Sequence, residues 1–486
     1  MMKMPPSQSR LHLGAALFGL AAAGCAVGPD YRRPDVAAPA AFKEAASWQL
    51  ATPRDETVRG AWWEIYRDPV LNSLEQRATK GNQSILAADA AYRAAAAIAR
   101  QAEASLWPTL GASAGITRSQ QAVGTARANS IQSAPTSGLN NLRTAELTAS
   151  WEVDLWGGLR RSAESSRASA AATLGDYEAA KLSLAAELAV DYFDLRVADA
   201  TQGFLNETVA GYERSLKISQ NQYAAGIVGR VDVAEAETQL ASTRAQAIDV
   251  GIQRAQLEHA IAVLIGVPPA EFSVAVDPAW TAPSPDVPLG VAGDLLERRP
   301  DIAAAERRVV AANAQVGVAS AAWFPTLTLN ATGGYQSVAA SQWFSLPNRF
   351  WSVGPELAET LFDAGRRRAV SAQARAAYDQ AVANYRQTTL QAFQDVEDSL
   401  VSLRVLKDEI ATQDMAVKSA REAARLTLNQ YKAGTVSYLS VVTVQETALQ
   451  NERAAISLIG RQLAGSVGLV RGLGGGWRAE DLNAAK

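Results

Sequence analysis

One cysteine, Cys25, is all that this chain of 486 residues contains, so no internal disulfide framework is open to it. Its two histidines, His12 and His259, form no metal or catalytic cluster with that cysteine. No GxxxxGK[ST] phosphate loop occurs, and the glycines of Gly472-Leu-Gly-Gly-Gly476 lack the spacing of a dinucleotide fingerprint. After the first 24 residues no apolar run approaches 18 residues, which excludes a transmembrane helix there. A membrane crossing, if present, must use strands. The formal net charge is −3, so there is no basic footprint for nucleic acid. These absences predict no enzyme, no cofactor and no metal. Charged residues at 20% and hydrophobic ones at 48% predict a folded chain and not a disordered one.

What is present begins with a leader over 1–24. Lys3 and Arg10 form a basic start, and Leu13 to Ala23 an apolar stretch of signal-peptide length, too short for a spanning helix. It ends in Ala22-Ala23-Gly24-Cys25, small residues before a cysteine, as lipoprotein signal peptidase requires; Ala22 stands where leucine is usual. Cys25 is therefore the expected lipidation site, and Ala26 after it, in place of aspartate, favours the outer membrane. An ordinary signal peptide with an incidental cysteine is the alternative.

The mature chain says nearly the same thing twice. QYAAG at 222–226 returns as QYKAG at 430–434, WPTL at 107–110 as FPTL at 324–327, and LWGGLRR at 155–161 as LFDAGRR at 361–367. A period of about 210 residues is far too long for a solenoid unit and marks a duplicated half-molecule. The expected division is an extended segment over 25–69, a first repeat over 70–266, a proline-rich linker over 267–293, a second repeat over 294–474 and a tail over 475–486.

Each repeat predicts the same series. A helix over about 70–105 stops before Pro108, because proline disfavours helix in the residue preceding it. Then the period changes to two. Leu110, Ala112, Ala114 and Ile116 alternate with Gly and Ser, and Ala145, Leu147, Ala149, Trp151 and Val153 alternate with a polar face that includes Glu146, Glu152 and Asp154. The second repeat predicts strands at about 326–335 and 350–361, with Glu359 breaking the pattern. Strands of about ten residues suit a tilted crossing of a bilayer, and Trp107, Trp151, Trp156, Trp323, Trp343 and Trp351 lie where interfacial girdles belong. A half-buried sheet in a soluble domain remains the alternative. Long helices without proline follow, at about 157–223 and 364–431. Leu182, Ala186, Ala189 and Phe193, like Phe393, Val396, Leu400 and Leu403, recur at coiled-coil spacings. Each long helix ends at a glycine suited to a C-terminal cap, Gly226 or Gly434, before a return helix at about 230–265 or 438–470. Asp294 to Glu297 predicts a capped helix start.

Strands in lipid must close into a barrel, and bacterial barrels have at least eight. Four strands per chain therefore require oligomerisation. Three chains would give twelve strands and room for a lumen lined by the small polar face.

The opening Cys-Ala-Val-Gly-Pro-Asp-Tyr-Arg-Arg-Pro at 25–34, SWEVDLWG at 150–157, LLERRPDI at 295–302, the two QY-x-AG motifs and LGGGW at 473–477 follow in order along almost the whole mature chain. Together they resemble the outer-membrane efflux lipoproteins, the TolC-like outer membrane factor family of NodT type. The resemblance implies a mainly helical fold with a small membrane β-barrel portion. A homotrimer would build a 12-stranded outer-membrane β-barrel and a periplasmic α-barrel of long helical hairpins. It also implies a passive duct for small toxic compounds in a tripartite pump, with a periplasmic adaptor and an inner-membrane transporter as partners. An exit duct for protein secretion, or a lipid-anchored periplasmic scaffold without channel activity, are the alternatives. By the same resemblance, the periplasmic gate falls on Tyr223, Asp232, Tyr431, Leu439, Ser440, Thr443 and Glu446, and adaptor docking on the tips at Gly226 and Gly434. Many members carry aspartate at the places of Ser440 or Thr443, so an acidic ring is not expected here.

Overall fold

The computed structural model describes residues 26–36, 39, 41–44, 61–120, 139–277, 280–283, 299–475 and 477. Cys25, the expected helix start at 294–297 and most of the first strand connection lie outside them. Two compact units emerge, each drawing segments from both repeats. One comprises Met1–Pro34, Arg93–Ala170 and Arg307–Ala383; the other comprises Asp35–Tyr92, Ala171–Glu306 and Asn384–Lys486.

The helices are α1 (Pro69–Gly81), α2 (Gln83–Ala104), α3 (Gly158–Ala224), α4 (Arg230–Leu264), α5 (Pro300–Ala321), α6 (Arg366–Lys432) and α7 (Tyr438–Gly472). Among the described residues no helix is long and apolar enough to cross a membrane. The expected single helix over 70–105 is two. Asn82 ends α1 with its backbone N–H on Ala78 O and starts α2 by accepting from Ser84 N at 2.9 Å and Ile85 N at 3.0 Å. Its side-chain amide donates to Leu264 O at 2.9 Å. The break lets the chain at Gly81 approach Ile265-Gly266 so closely that a Cβ on Gly266 would stand 2.1 Å from Gly81 O, and one on Gly81 would stand 2.5 Å from Ile265 O. The local pair Gly81-Asn82 marks that break, a helix stop followed by an N-cap, and the bond to Leu264 O on α4 secures it.

In the first unit β1 (Thr109–Gln120), β2 (Leu139–Val153), β3 (Thr326–Ser337) and β4 (Arg349–Ala358) form one antiparallel sheet in that order. Directly opposed residues share a face, so the register tests the period-two reading. Ala112↔Leu147 and Ala149↔Ala331↔Val353 are apolar throughout; Ser113↔Glu146, Ser150↔Asn330 and Thr328↔Glu356 are polar throughout. Hydrogen bonds run across the polar face, from Ser113 Oγ to Glu146 at 3.2 Å, Ser150 Oγ to Asn330 at 2.9 Å and Asn330 Nδ2 to Glu356 at 3.3 Å. The apolar face is uncovered, with Leu110, Ile116, Leu147, Val353 and Leu357 exposed. A contiguous apolar sheet face of that extent marks an interaction surface. Strands β1 and β4 are sheet edges whose outer ladders have no partner among the described residues.

Two assignments shift. Asp154, read as a member of the polar strand face, lies beyond β2 and caps α3 instead. Its carboxylate accepts from Leu159 N at 3.1 Å and Arg160 N at 2.9 Å, and pairs with Arg160 Nε at 3.1 Å. An acceptor at a helix start answers N–H groups that have no partner inside the helix. Strand β4 stops at Ala358, not 361, and Glu359 accepts from Arg367 Nη1 at 2.8 Å.

The second unit holds the main core. The coiled-coil stripe is confirmed by the burial of Ala186, Ala189 and Phe193 on α3 and of Phe393, Val396, Leu400 and Leu403 on α6; Leu390, three residues before Phe393, is exposed. Leu188, Tyr192 and Leu195 are buried as well, so α3 is covered on more than one face. Tyr66 stacks edge-on against Phe193 at 4.8 Å and bonds Ser466 Oγ at 2.8 Å. Arg196 and Asp199 form a buried pair at 2.9 Å, with Arg254 on the other Asp199 oxygen at 2.8 Å.

Candidate functional site at the helical hairpin tips

Both long helices end in the same backbone motif. In the first hairpin Gly226, at φ +73°, donates to Tyr223 O, and Ile227 N donates to Gln222 O, each at 2.9 Å. In the second, Gly434, at φ +76°, donates to Tyr431 O at 2.9 Å, and Thr435 N donates to Gln430 O at 3.0 Å. This double closure satisfies the last helical carbonyls and needs a left-handed residue, which glycine supplies without a Cβ penalty. No atom lies within 4 Å of where a Cβ would stand on either glycine, so both tips face open space.

The side chains then diverge. Tyr431 and Tyr438 are fully buried, with ring centroids 5.1 Å apart in an edge-on pair, inside a small cluster with Ala236 and Val441. The Tyr431 hydroxyl meets Ser219 Oγ at 3.0 Å and donates a long bond of 3.4 Å to Asp232 Oδ2. Since the phenol's proton goes to the carboxylate, Ser219 is the donor in its own bond. Burial first, and then the carboxylates of Asp232 and Glu235, hold the Tyr431 hydroxyl above the ordinary tyrosine range, while Ser219 acts the other way. Burial raises Tyr438 too. Both phenols therefore stay neutral at any physiological pH. A residue of the second hairpin is thus tied to two positions of the first.

Of the other residues expected here, Tyr223 is exposed and makes no part of that cluster. Leu439 projects outward at 58% exposure. Ser440 Oγ contacts Ser437 Oγ at 3.4 Å, and Thr443 Oγ1 bonds back to Leu439 O at 2.9 Å. Glu446 accepts from Gln239 Nε2 at 3.1 Å and from Gln450 Nε2 at 3.1 Å, so it too links the hairpins. The structure brings Asp232, Tyr431 and Glu446 into bonds between hairpins and leaves Tyr223, Leu439 and Thr443 on the surface. Ser219, Tyr438 and Gln239 were missed. The seven-residue spacing of Tyr431 and Tyr438 across the turn was the one sequence signal available for the second of these.

In the sheet-bearing unit, Ala26 packs against the turn after β2, 2.9 Å from where a Cβ on Gly157 would stand. Val27 N donates to Trp156 O at 2.9 Å, and Arg161 binds Asp30 at 2.7 Å. Trp156 stacks on Phe324 at 4.7 Å and donates to Pro325 O at 2.8 Å. Trp107 and Trp323 are exposed near the same strand ends, and Trp351 is exposed where β4 begins.

Comparison with known proteins places these features in a family. Residues 74–267 and 291–475 match the model of the outer membrane efflux protein family. The pyoverdine export outer membrane protein OpmQ of Pseudomonas aeruginosa is 32% identical over 425 residues, covering 87% of this chain and 89% of that protein. The outer-membrane channel OprN superposes with a TM-score of 0.84 at 32% identity, over 93% of this chain and 100% of that one. The open state of the Neisseria gonorrhoeae MtrE outer membrane channel gives 0.82 at 26% identity, over 94% and 99%.

Proposed function

The chain belongs to the outer membrane efflux protein family, and from that premise we propose that its hairpin tips form both the periplasmic gate and the point at which an adaptor docks. The protein is the outer-membrane channel of a tripartite efflux system. Such channels work as trimers with an adaptor and an inner-membrane pump. The unpaired ladders of β1 and β4 fit that assembly, because backbone groups in lipid must all be bonded and three copies close twelve strands. The uncovered apolar face then meets lipid, and the hydrogen-bonded polar face lines water.

The observation that carries the gate reading is the bond set from Tyr431 to Ser219 and Asp232. It fixes the second hairpin against the first, and in a trimer it recurs three times about one axis. Leu439 and Val231, exposed at matching places of the two tips, supply apolar surface for closure or docking. Single-channel conductance in planar bilayers tests this. Asp232→Ala and Leu439→Ala raise conductance; unchanged conductance in both would place the gate elsewhere.

Cys25 carries lipid in this reading, since the next residue already sits beside the Trp156 turn at the strand ends. Mass spectrometry finds an acyl chain on the wild-type protein and none on Cys25→Ser; an unmodified wild type refutes the anchor. The connections at about 119–141 and 337–349 face the cell exterior, so a tag at Ser133 is reached by antibody on intact cells. The exported cargo belongs to the class of small toxic compounds. No catalytic step is assigned, and the energy for transport comes from the inner-membrane partner.

A further inference from the structure

Away from the tips and the sheet, α1, the turn over Trp62–Tyr66, α3 and the chain after α7 enclose a cavity of about 370 Å³. That size is at the lower end of small-molecule sites. Three tryptophans line it, Trp62, Trp63 and Trp477, and so does Glu75. Glycine shapes the wall. Gly475 has φ +57°, and a Cβ there would come within 2.3 Å of Leu182 and 3.3 Å of Trp62. The LGGGW motif thereby lets the chain pass close enough to bring Trp477 to the cavity.

Three polar atoms at this place have no hydrogen-bond partner among the described residues: Glu75 Oε1, Trp63 Nε1 and Trp477 Nε1. Buried polar atoms are nearly always bonded, so three around one cavity point to a missing partner. Glu75 is 1% exposed, and among the described residues no cation neutralises it. The charged groups beside it on α3 are Lys181 and Glu178, which pair with each other at 2.9 Å, with Lys181 also over the Tyr177 ring. Burial alone pushes the Glu75 carboxyl up to about 9, so the empty cavity holds a neutral acid at neutral pH.

We propose that this cavity is a binding site for a small amine that carries a hydrogen-bond acceptor next to its ammonium group. The ammonium meets the Glu75 carboxylate, the acceptor oxygen takes an indole N–H from Trp63 or Trp477, and the apolar body lies among the indoles. A buried charge is tolerated when paired, and indole surfaces attract cations. Binding expels the Glu75 proton, because the carboxylate is the form that pairs with the amine.

Phenylethanolamine is the probe, titrated into the full-length purified trimer while tryptophan fluorescence is read. Its neutral isostere, with methyl in place of the ammonium, is the control. Saturable quenching by the amine is expected, tightening about tenfold per unit between roughly pH 6 and pH 8, with the isostere at least tenfold weaker and insensitive to pH. Glu75→Gln loses the pH dependence and at least tenfold in affinity. Trp63→Phe, which keeps a ring and loses the N–H, weakens the amine severalfold. If Glu75→Gln fails to assemble, the wild-type pH profile and Trp63→Phe decide. Equal binding of amine and isostere would make this a neutral polar recess and overturn the proposal, as would the absence of saturation or a flat pH profile.

Discussion

The two hairpin tips share a backbone and differ in where they keep their tyrosine. Each closes with the same pair of hydrogen bonds around a left-handed glycine. Yet Tyr223 is 47% exposed and Tyr431 is 1% exposed. The residue after the turn decides this. Tyr438 packs edge-on against Tyr431, whereas the matching position of the first tip holds Arg230, which reaches out to Glu237 at 3.1 Å. A duplicated turn has therefore acquired one tip with a buried tyrosine and one with an exposed tyrosine. Bonds then run both ways between the hairpins, from Tyr431 to Asp232 and from Ser219 and Gln239 to Tyr431 and Glu446.

The contrast can be broken most strongly at Tyr438. Tyr438→Ala removes a fully buried ring and should destabilise the tip by about 3 kcal/mol or more, the usual cost of emptying an aromatic site. Hydrogen exchange across 428–442 should rise sharply, while Arg230→Ala leaves the first tip unchanged. Equal exchange in the two variants would mean that both tips are held by their backbones alone.

Bulk at the glycines comes next. Gly226→Val and Gly434→Val each force a branched residue into the left-handed region, at a cost of about 1–2 kcal/mol. The two should lower the melting temperature alike, because the backbones match. Gly434→Trp should in addition block adaptor docking and sensitise cells to exported compounds while the trimer assembles. Full pump activity in that variant would move docking off the tip.

A finer cut is the single hydroxyl. Tyr431→Phe loses the bonds to Ser219 and Asp232, worth about 1 kcal/mol net, and should raise channel conductance; Tyr223→Phe should do nothing. Identical conductance in the pair would show that the tip packing, not the bond, restrains the hairpin.

The smallest expected effect lies at the carboxylate caps of the two long helices, which come from different positions of the repeat. Asp363 accepts from Gly365 N and Arg367 N at 3.0 Å each, as Asp154 does for α3. The Arg367 backbone N–H first, then its guanidinium and the Gly365 N–H, holds the Asp363 carboxyl below its usual range. A depressed carboxylate stabilises the fold at neutral pH and loses that contribution as pH falls through its folded-state value. Asp363→Asn should therefore lower neutral-pH stability slightly and remove part of the acid sensitivity of the α6 start, both read by circular dichroism.

Much of this was legible because the relevant signals are periodic. Strand alternation survives as register, since opposed residues in an antiparallel pair share a face. The helix limits were set by glycine at one end and the strand patterns at the other, and both long helices fall within two residues of expectation. Asp154 was misplaced because a carboxylate at a strand end continues the alternation whether it faces a lumen or caps the next helix. The break at Asn82 was missed although Gly81-Asn82 is a local stop and N-cap signal, because helical residues continue on both sides of it.

The sequence by itself determined the duplication, the alternation of four strands, the two long hairpins and the glycine turns, because each depends on residues close in the chain or on a repeating period. Only the tertiary structure decided which tyrosine is buried, which side chains bond across the two hairpins, and that Glu75 and Trp477 border one cavity. Those outcomes depend on side chains brought together from distant segments, where burial, and not spacing, sets which polar groups find partners.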